Sequence, residues 1–178
     1  MAKLKRSNEH KEFSEIKHLF EERQEALQHF FDCDNVLKYI GYSQKDVDYY
    51  LSDHLREAEY DACLTLLGAI EAAFRLDLDY RHRHRLKDQK SKEVRQMLKG
   101  ISRGDFVYRI PITKIIDLLK SDQSVPNRIL NSLKNTFKYR HWLAHGRYWQ
   151  LQLGIHKPSF SDIYQLAQTI EKMTLLLG

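Results

Sequence analysis

The chain is poor in the residues that build turn-rich, cross-linked or membrane-spanning proteins. Of its 178 residues only 7 are glycine and 3 are proline, a composition that disfavours short strands joined by tight turns and favours long regular helices. The two cysteines, Cys33 and Cys63, show no metal-type spacing, so neither a disulfide framework nor a zinc site is expected, and both suit a reducing cytosol. No segment reaches the roughly 20 apolar residues of a membrane span. The stretch after the basic Met1 to Arg6 is charged and amphipathic, unlike a secretory signal. The expectation is a cytoplasmic protein with no membrane partner and no cofactor. A net charge of +5 makes the surface mildly attractive to polyanions without requiring that it bind them.

What is present is helical periodicity. Phe13, Ile16, Phe20, Leu27, Phe30 and Phe31 fall on one face of a helix expected from Asn8 to Phe31. Gly41 breaks the chain, and Ser43 followed by Asp46 has the form of a helix start. From there a stripe through Val47, Leu51, Leu55, Ala58, Ala62, Leu66, Ala69, Ala73 and Leu76 predicts a helix longer than about thirty residues, the scaffold of the molecule. The run Tyr80 to Lys87 carries that helix out as a basic, solvent-exposed stretch. Shorter helices are expected over Lys90 to Lys99, over Thr113 to Lys120 after Pro111, and from Pro126 to Gly146, with a last one capped by Ser161. The whole chain, 1–178, reads as one domain: all-α, an up-and-down bundle of about five to six helices.

The chemistry is concentrated at the end of the helix after Pro126. Between Lys138 and Trp149 stand three cations, two imidazoles and four aromatic residues. A helix designed to fill a core would avoid this mixture, because a buried charge without a partner costs several kcal/mol, on the order of 3 to 5. His145 can accept and return a proton near neutral pH. The helix dipole favours its charged form, whereas Arg140 and Arg147 oppose it, and the sequence leaves both forms open. Arg140 offers a planar, permanent, multi-donor cation suited to binding a phosphate and to stabilising the charge of a phosphorane-like transition state. Together they suffice for metal-free RNA cleavage, with the ribose 2′-hydroxyl as nucleophile and a cyclic phosphate as product. Five residues of ideal helix turn a side chain by about 500°, which leaves Arg140 and His145 about 140° apart. Either a helix loosened before Gly146 or a second subunit across a twofold axis would bring them to one substrate.

Arg140, four intervening residues and His145, with Ala144-His145-Gly146 at a late helix end of an all-helical chain, resemble the ribonuclease motif of the HEPN superfamily (higher eukaryotes and prokaryotes nucleotide-binding domain). The resemblance covers most of the chain in outline. It implies a helical bundle that pairs as a homodimer, bringing both motifs into one cleft, and a toxin or antiviral ribonuclease with RNA as substrate and an antitoxin or other neutralising partner. It makes Arg140 and His145 the catalytic pair. His141 stands where the family often has Asn or Asp, and Glu71, acidic within an apolar helical stretch, resembles the family's acidic helix position.

His141, Arg147 and Tyr148 are supporting candidates beside the pair, and Arg81, Arg83, Arg85 and Lys138 are candidate RNA-backbone contacts. Plainer readings stand beside each. Arg140 and His145 can cap carbonyls or pair with acids. His141 and His145 share a helical face as a metal pair would, but no acidic third ligand is near in sequence, so no metal is assigned. Phe137, Trp142 and Leu143 read as core or dimer contacts, and the basic run as a solvated face. A helical module that binds RNA or protein without catalysis is the alternative function.

Overall fold

The computed structural model describes residues 9–32, 39–99, 110–120, 126–151 and 157–172. Among the described residues six helices account for the regular structure: α1 (Phe13–Phe30), α2 (Gln44–His84), α3 (Gln89–Leu98), α4 (Ile112–Leu119), α5 (Asn127–Ala144) and α6 (Phe160–Lys172). The described residues contain no strand, so the fold is an all-α bundle.

Local chemistry fixes most helix starts. The α2 start is a capping box: Asp46 N–H donates to Ser43 Oγ at 3.3 Å, and Ser43 N–H donates to Asp46 Oδ2 at 2.9 Å. Just before it, Gly41 turns the chain at φ +90°, a conformation that costs glycine little. At α3, Asp88 accepts from Ser91 N–H at 3.0 Å. Neither α4 nor α5 has a side-chain cap; the carbonyls of Pro111 and Pro126 instead accept the first-turn N–H groups of Lys114 and Ile129, both at 2.9 Å. The cap of α6 is Ser159, two residues before the expected Ser161. Ser159 and Asp162 form the reciprocal box, and Ser161 lies inside the helix. The spacing of serine to acid decides between the two: Asp162 stands three residues after Ser159, as a capping box requires.

With 41 residues, α2 is about 60 Å long at about 1.5 Å per residue, and the other helices pack along it. On one side α1 runs antiparallel to it, as shown by Arg23 against Asp61 at 2.9 Å and the rings of Phe31 and His54 at 5.2 Å. A second antiparallel neighbour is α5, which places Arg140 against Glu71 and Arg147 against Glu57. Phe20 meets Phe160 at 4.5 Å where α6 closes over α1. Buried apolar side chains from each of the six described helices form one cluster. Leu66, Leu67 and Ile70, fully buried on α2, each contribute about 1.5–3 kcal/mol by leaving water. No helix among the described residues is long and apolar enough to cross a membrane.

The basic run differs from the expected exposed face. Arg81 is 7% exposed; its Nε donates to Asp77 at 2.8 Å and its Nη1 to Asp88 at 3.2 Å, tying α2 to the start of α3. The reason is helical phase. Residue 81 stands three positions after Leu78 and seven after Phe74, so its stem lies on the buried stripe while its head finds two carboxylates. Arg83 pairs with Asp79 at 2.8 Å, and Arg85 ends the helix, exposed, at φ +49°.

Candidate functional site

α5 ends in a Schellman motif. His145 is the C-cap, Gly146 follows at φ +80°, Gly146 N–H donates to Leu143 O at 3.4 Å, and Arg147 N–H donates to Trp142 O at 3.1 Å. The motif occurs here because glycine takes the left-handed conformation that a β-carbon resists. It stops the helix directly after His145 and folds Arg147 to Trp149 back over the last turn. Trp142 Nε1 then donates to the Trp149 carbonyl at 2.7 Å and fixes that return.

Arg140 points toward α2. Its Nη2 lies 3.1 Å from Glu71 Oε2, while Glu71 Oε1 accepts two bonds from Arg75, from Nε at 2.9 Å and Nη2 at 2.6 Å. Arg75 Nη1 also donates to the Ile110 carbonyl at 3.2 Å. One carboxylate thus holds two guanidiniums, and Arg140 remains partly exposed with its Nε buried and without a hydrogen bond among the described residues. Glu71 and Arg140 are therefore brought together by the fold. The plainer expectation that Arg140 pairs with an acid also describes this contact, so the ion pair itself does not choose between a structural and a functional arginine.

His145 faces elsewhere. Its ring lies 4.2 Å from that of His141, and the Trp149 ring lies 5.6 Å from His141 and 6.4 Å from His145. Both histidines are exposed, and no hydrogen bond among the described residues joins His145 to Arg140. The geometry matches the helical arithmetic: residues four apart share a face, and residues five apart do not.

The supporting candidates separate. Arg147 is held by Glu57 at 2.7 Å, and its guanidinium lies 4.9 Å from the Tyr60 ring centre. The same contact lowers the Glu57 carboxyl below its usual range and raises the Arg147 guanidinium. Arg147 thereby clamps the turn to α2. Lys157 continues the clamp from the start of α6, 4.7 Å above the Trp142 ring. Tyr148 is highly exposed and stacks edge-on against Trp149 at 4.6 Å. Phe137, Trp142 and Leu143 are buried in the core. Lys138 is exposed and lines an open groove of about 900 Å³ with Lys134, Phe137, His141, Trp149 and Leu151. From Glu57 to Arg83, α2 rises about 40 Å, so Arg83 and Arg85 lie at the opposite end from His145.

Sequence reasoning missed Glu57 and Tyr60 as partners of the turn, and Trp149 as the ring beside the histidines. Glu57, Tyr60 and Asp61 are spaced as one face of α2, a signal that marks a shared surface without saying which element covers it.

Comparison of the chain with protein-family models, with curated proteins and with solved structures returns no match. Function rests on the site alone.

Proposed function

We propose that the chain is a metal-independent endoribonuclease of HEPN type, with Arg140 and His145 as its catalytic pair. The observation that carries this reading is that Arg140, though held by Glu71, remains partly exposed, five residues before an exposed imidazole at a helix end. Anchoring costs Arg140 rotamer freedom before substrate arrives, which is how a charged group is prepared for a transition state.

In the reaction, the ribose 2′-oxygen attacks the adjacent phosphorus and the 5′-oxygen of the next nucleotide leaves. His145 handles the proton lost by the first oxygen or gained by the second, and Arg140 neutralises charge on the phosphoryl oxygens. The products are a 2′,3′-cyclic phosphate and a free 5′-hydroxyl. Because Arg140 turns to α2 and His145 to His141, a homodimer in which one copy's imidazole meets the other's guanidinium suits this chemistry better than a lone subunit. Lys138 and the groove beside it serve as the RNA path, with His141 in its wall and Tyr148 against Trp149, which also lines it. Arg81 is left out because two carboxylates hold it inside the bundle, and Arg147 because it clamps the turn. A toxin or defence role and a neutralising partner rest on the family resemblance, and cytoplasmic placement on the cysteine usage and the charged N-terminal stretch.

The test is cleavage of a single-stranded RNA in EDTA, with product ends read by their sensitivity to cyclic phosphodiesterase. Arg140→Ala and His145→Ala should each abolish cleavage while keeping the helical circular dichroism; activity kept in both removes the assignment. The groove, basic and aromatic, favours a second reading as an RNA-binding module without catalysis, which binding without product would select.

A further inference from the structure

We propose that His141 and His145 form a chelate for a borderline divalent transition metal, Cu²⁺ first and Ni²⁺ or Zn²⁺ more weakly, at the exposed end of α5. The chelate stands on geometry independent of the nuclease reading. The ring centres are 4.2 Å apart, close to the separation of about 5 Å that two imidazoles bound to one metal at about 2.1 Å would have. Both rings are exposed, and none of their nitrogens is hydrogen-bonded among the described residues. The backbone beneath them is fixed by the Schellman bonds and by the Trp142 to Trp149 hydrogen bond, so little order remains to be imposed on binding.

Charge at this end is less hostile to a cation than the sequence suggests. Arg140 and Arg147, the guanidiniums that flank the pair in sequence, are each committed to a carboxylate, Glu71 and Glu57. The C-terminal end of a helix carries partial negative charge, which favours a bound cation. Lys138 is the cation left opposing it. Among the described residues no group of three metal-ligating side chains exists, so water fills the remaining positions and the metal exchanges freely. A two-imidazole, water-completed site selects by ligand type: imidazole suits copper, nickel and zinc, and leaves magnesium and calcium to oxygen-rich sites, with copper tightest in the divalent series.

The Trp149 ring, 5.6 and 6.4 Å from the two imidazoles, supplies the readout, because a paramagnetic ion at that distance quenches indole fluorescence. Titration of the full chain with CuCl₂ in a non-coordinating buffer should give saturable quenching at one equivalent, with MgCl₂ silent. Since the second ring acts through its high effective concentration, His141→Ala and His145→Ala should each weaken the quenching by about tenfold or more, with the helical circular dichroism retained. Wild-type affinity in both variants, or quenching that never saturates, overturns the chelate. A consequence rests on the ribonuclease reading: metal on His145 removes its proton-transfer capacity, so copper or zinc should inhibit cleavage and EDTA restore it. Lack of any cleavage counts against the nuclease and leaves the fluorescence titration to decide the chelate by itself.

Discussion

Replacing Glu71 by glutamine keeps the size and hydrogen-bonding reach of the side chain and removes the charge that two arginines share. The Arg75 contact is bidentate and its partners are 16% and 18% exposed, so each charge-assisted bond approaches the partly buried range of about 1.5–3 kcal/mol. The Arg140 contact is a single approach at 3.1 Å from a side chain 37% exposed, and solvent screening reduces it to about 0.5–1 kcal/mol. Glu71→Gln should therefore cost about 2–3 kcal/mol, most of it through Arg75. Urea denaturation followed by helical circular dichroism measures the total. Double-mutant cycles with Arg75→Ala and Arg140→Ala divide it, and the Glu71–Arg75 coupling should exceed the Glu71–Arg140 coupling at least about twofold. A larger coupling to Arg140, or a coupling to both within about 0.3 kcal/mol of zero, would refute the account of one carboxylate anchoring two guanidiniums.

Other consequences follow from the same packing. Burial raises the Asp77 carboxyl above the ordinary aspartate range despite its bond to Arg81. In that interval the folded state binds more protons than the unfolded, so stability falls as pH rises from the ordinary value toward the raised one, and urea midpoints across pH should lose this slope in Asp77→Asn. Arg81→Met, which strands the Asp77 carboxylate, should destabilise by about 3–5 kcal/mol in the same assay, and an effect below about 1 kcal/mol would mean that the guanidinium is not needed there. Gly146→Ala forces a β-carbon into φ +80° and should cost about 1 kcal/mol in thermal or urea unfolding; no cost would mean that the turn after His145 is not left-handed. The Cys63 thiol, fully buried and pushed up to about 12, should resist Ellman's reagent in a Cys33→Ser protein until denaturant is added, whereas rapid reaction without denaturant would contradict its burial.

The sequence by itself determined the helices and most of their punctuation, the cap of α6 being the exception, where Ser159 and not Ser161 stands three residues before the acid. Ser43 with Asp46, the prolines at 111 and 126, and Gly146 act through local backbone chemistry within a few residues, and each stands at a helix boundary. The length of α2 was legible for the same reason, since a 3.6-residue period is a property of one helix. Its buried face, however, runs through Cys63, Leu67, Ile70, Phe74 and Leu78, and of the expected stripe only Val47, Ala58 and Leu66 are buried, because the packing of the other helices decides which side of α2 is covered. Tertiary structure decided which cations are free. Arg81, Arg83 and Arg85 read alike in the sequence, but the first is buried on two carboxylates, the second is paired on the surface and the third caps the helix. The same holds at the site: Glu71, Arg75 and Arg140 meet across two helices, and Arg147 leaves the candidate set because Glu57 and Tyr60 lie opposite it. A side chain's partner depends on the phase and position of another helix. That relation is fixed when the apolar stripes pack together, and no local spacing encodes it.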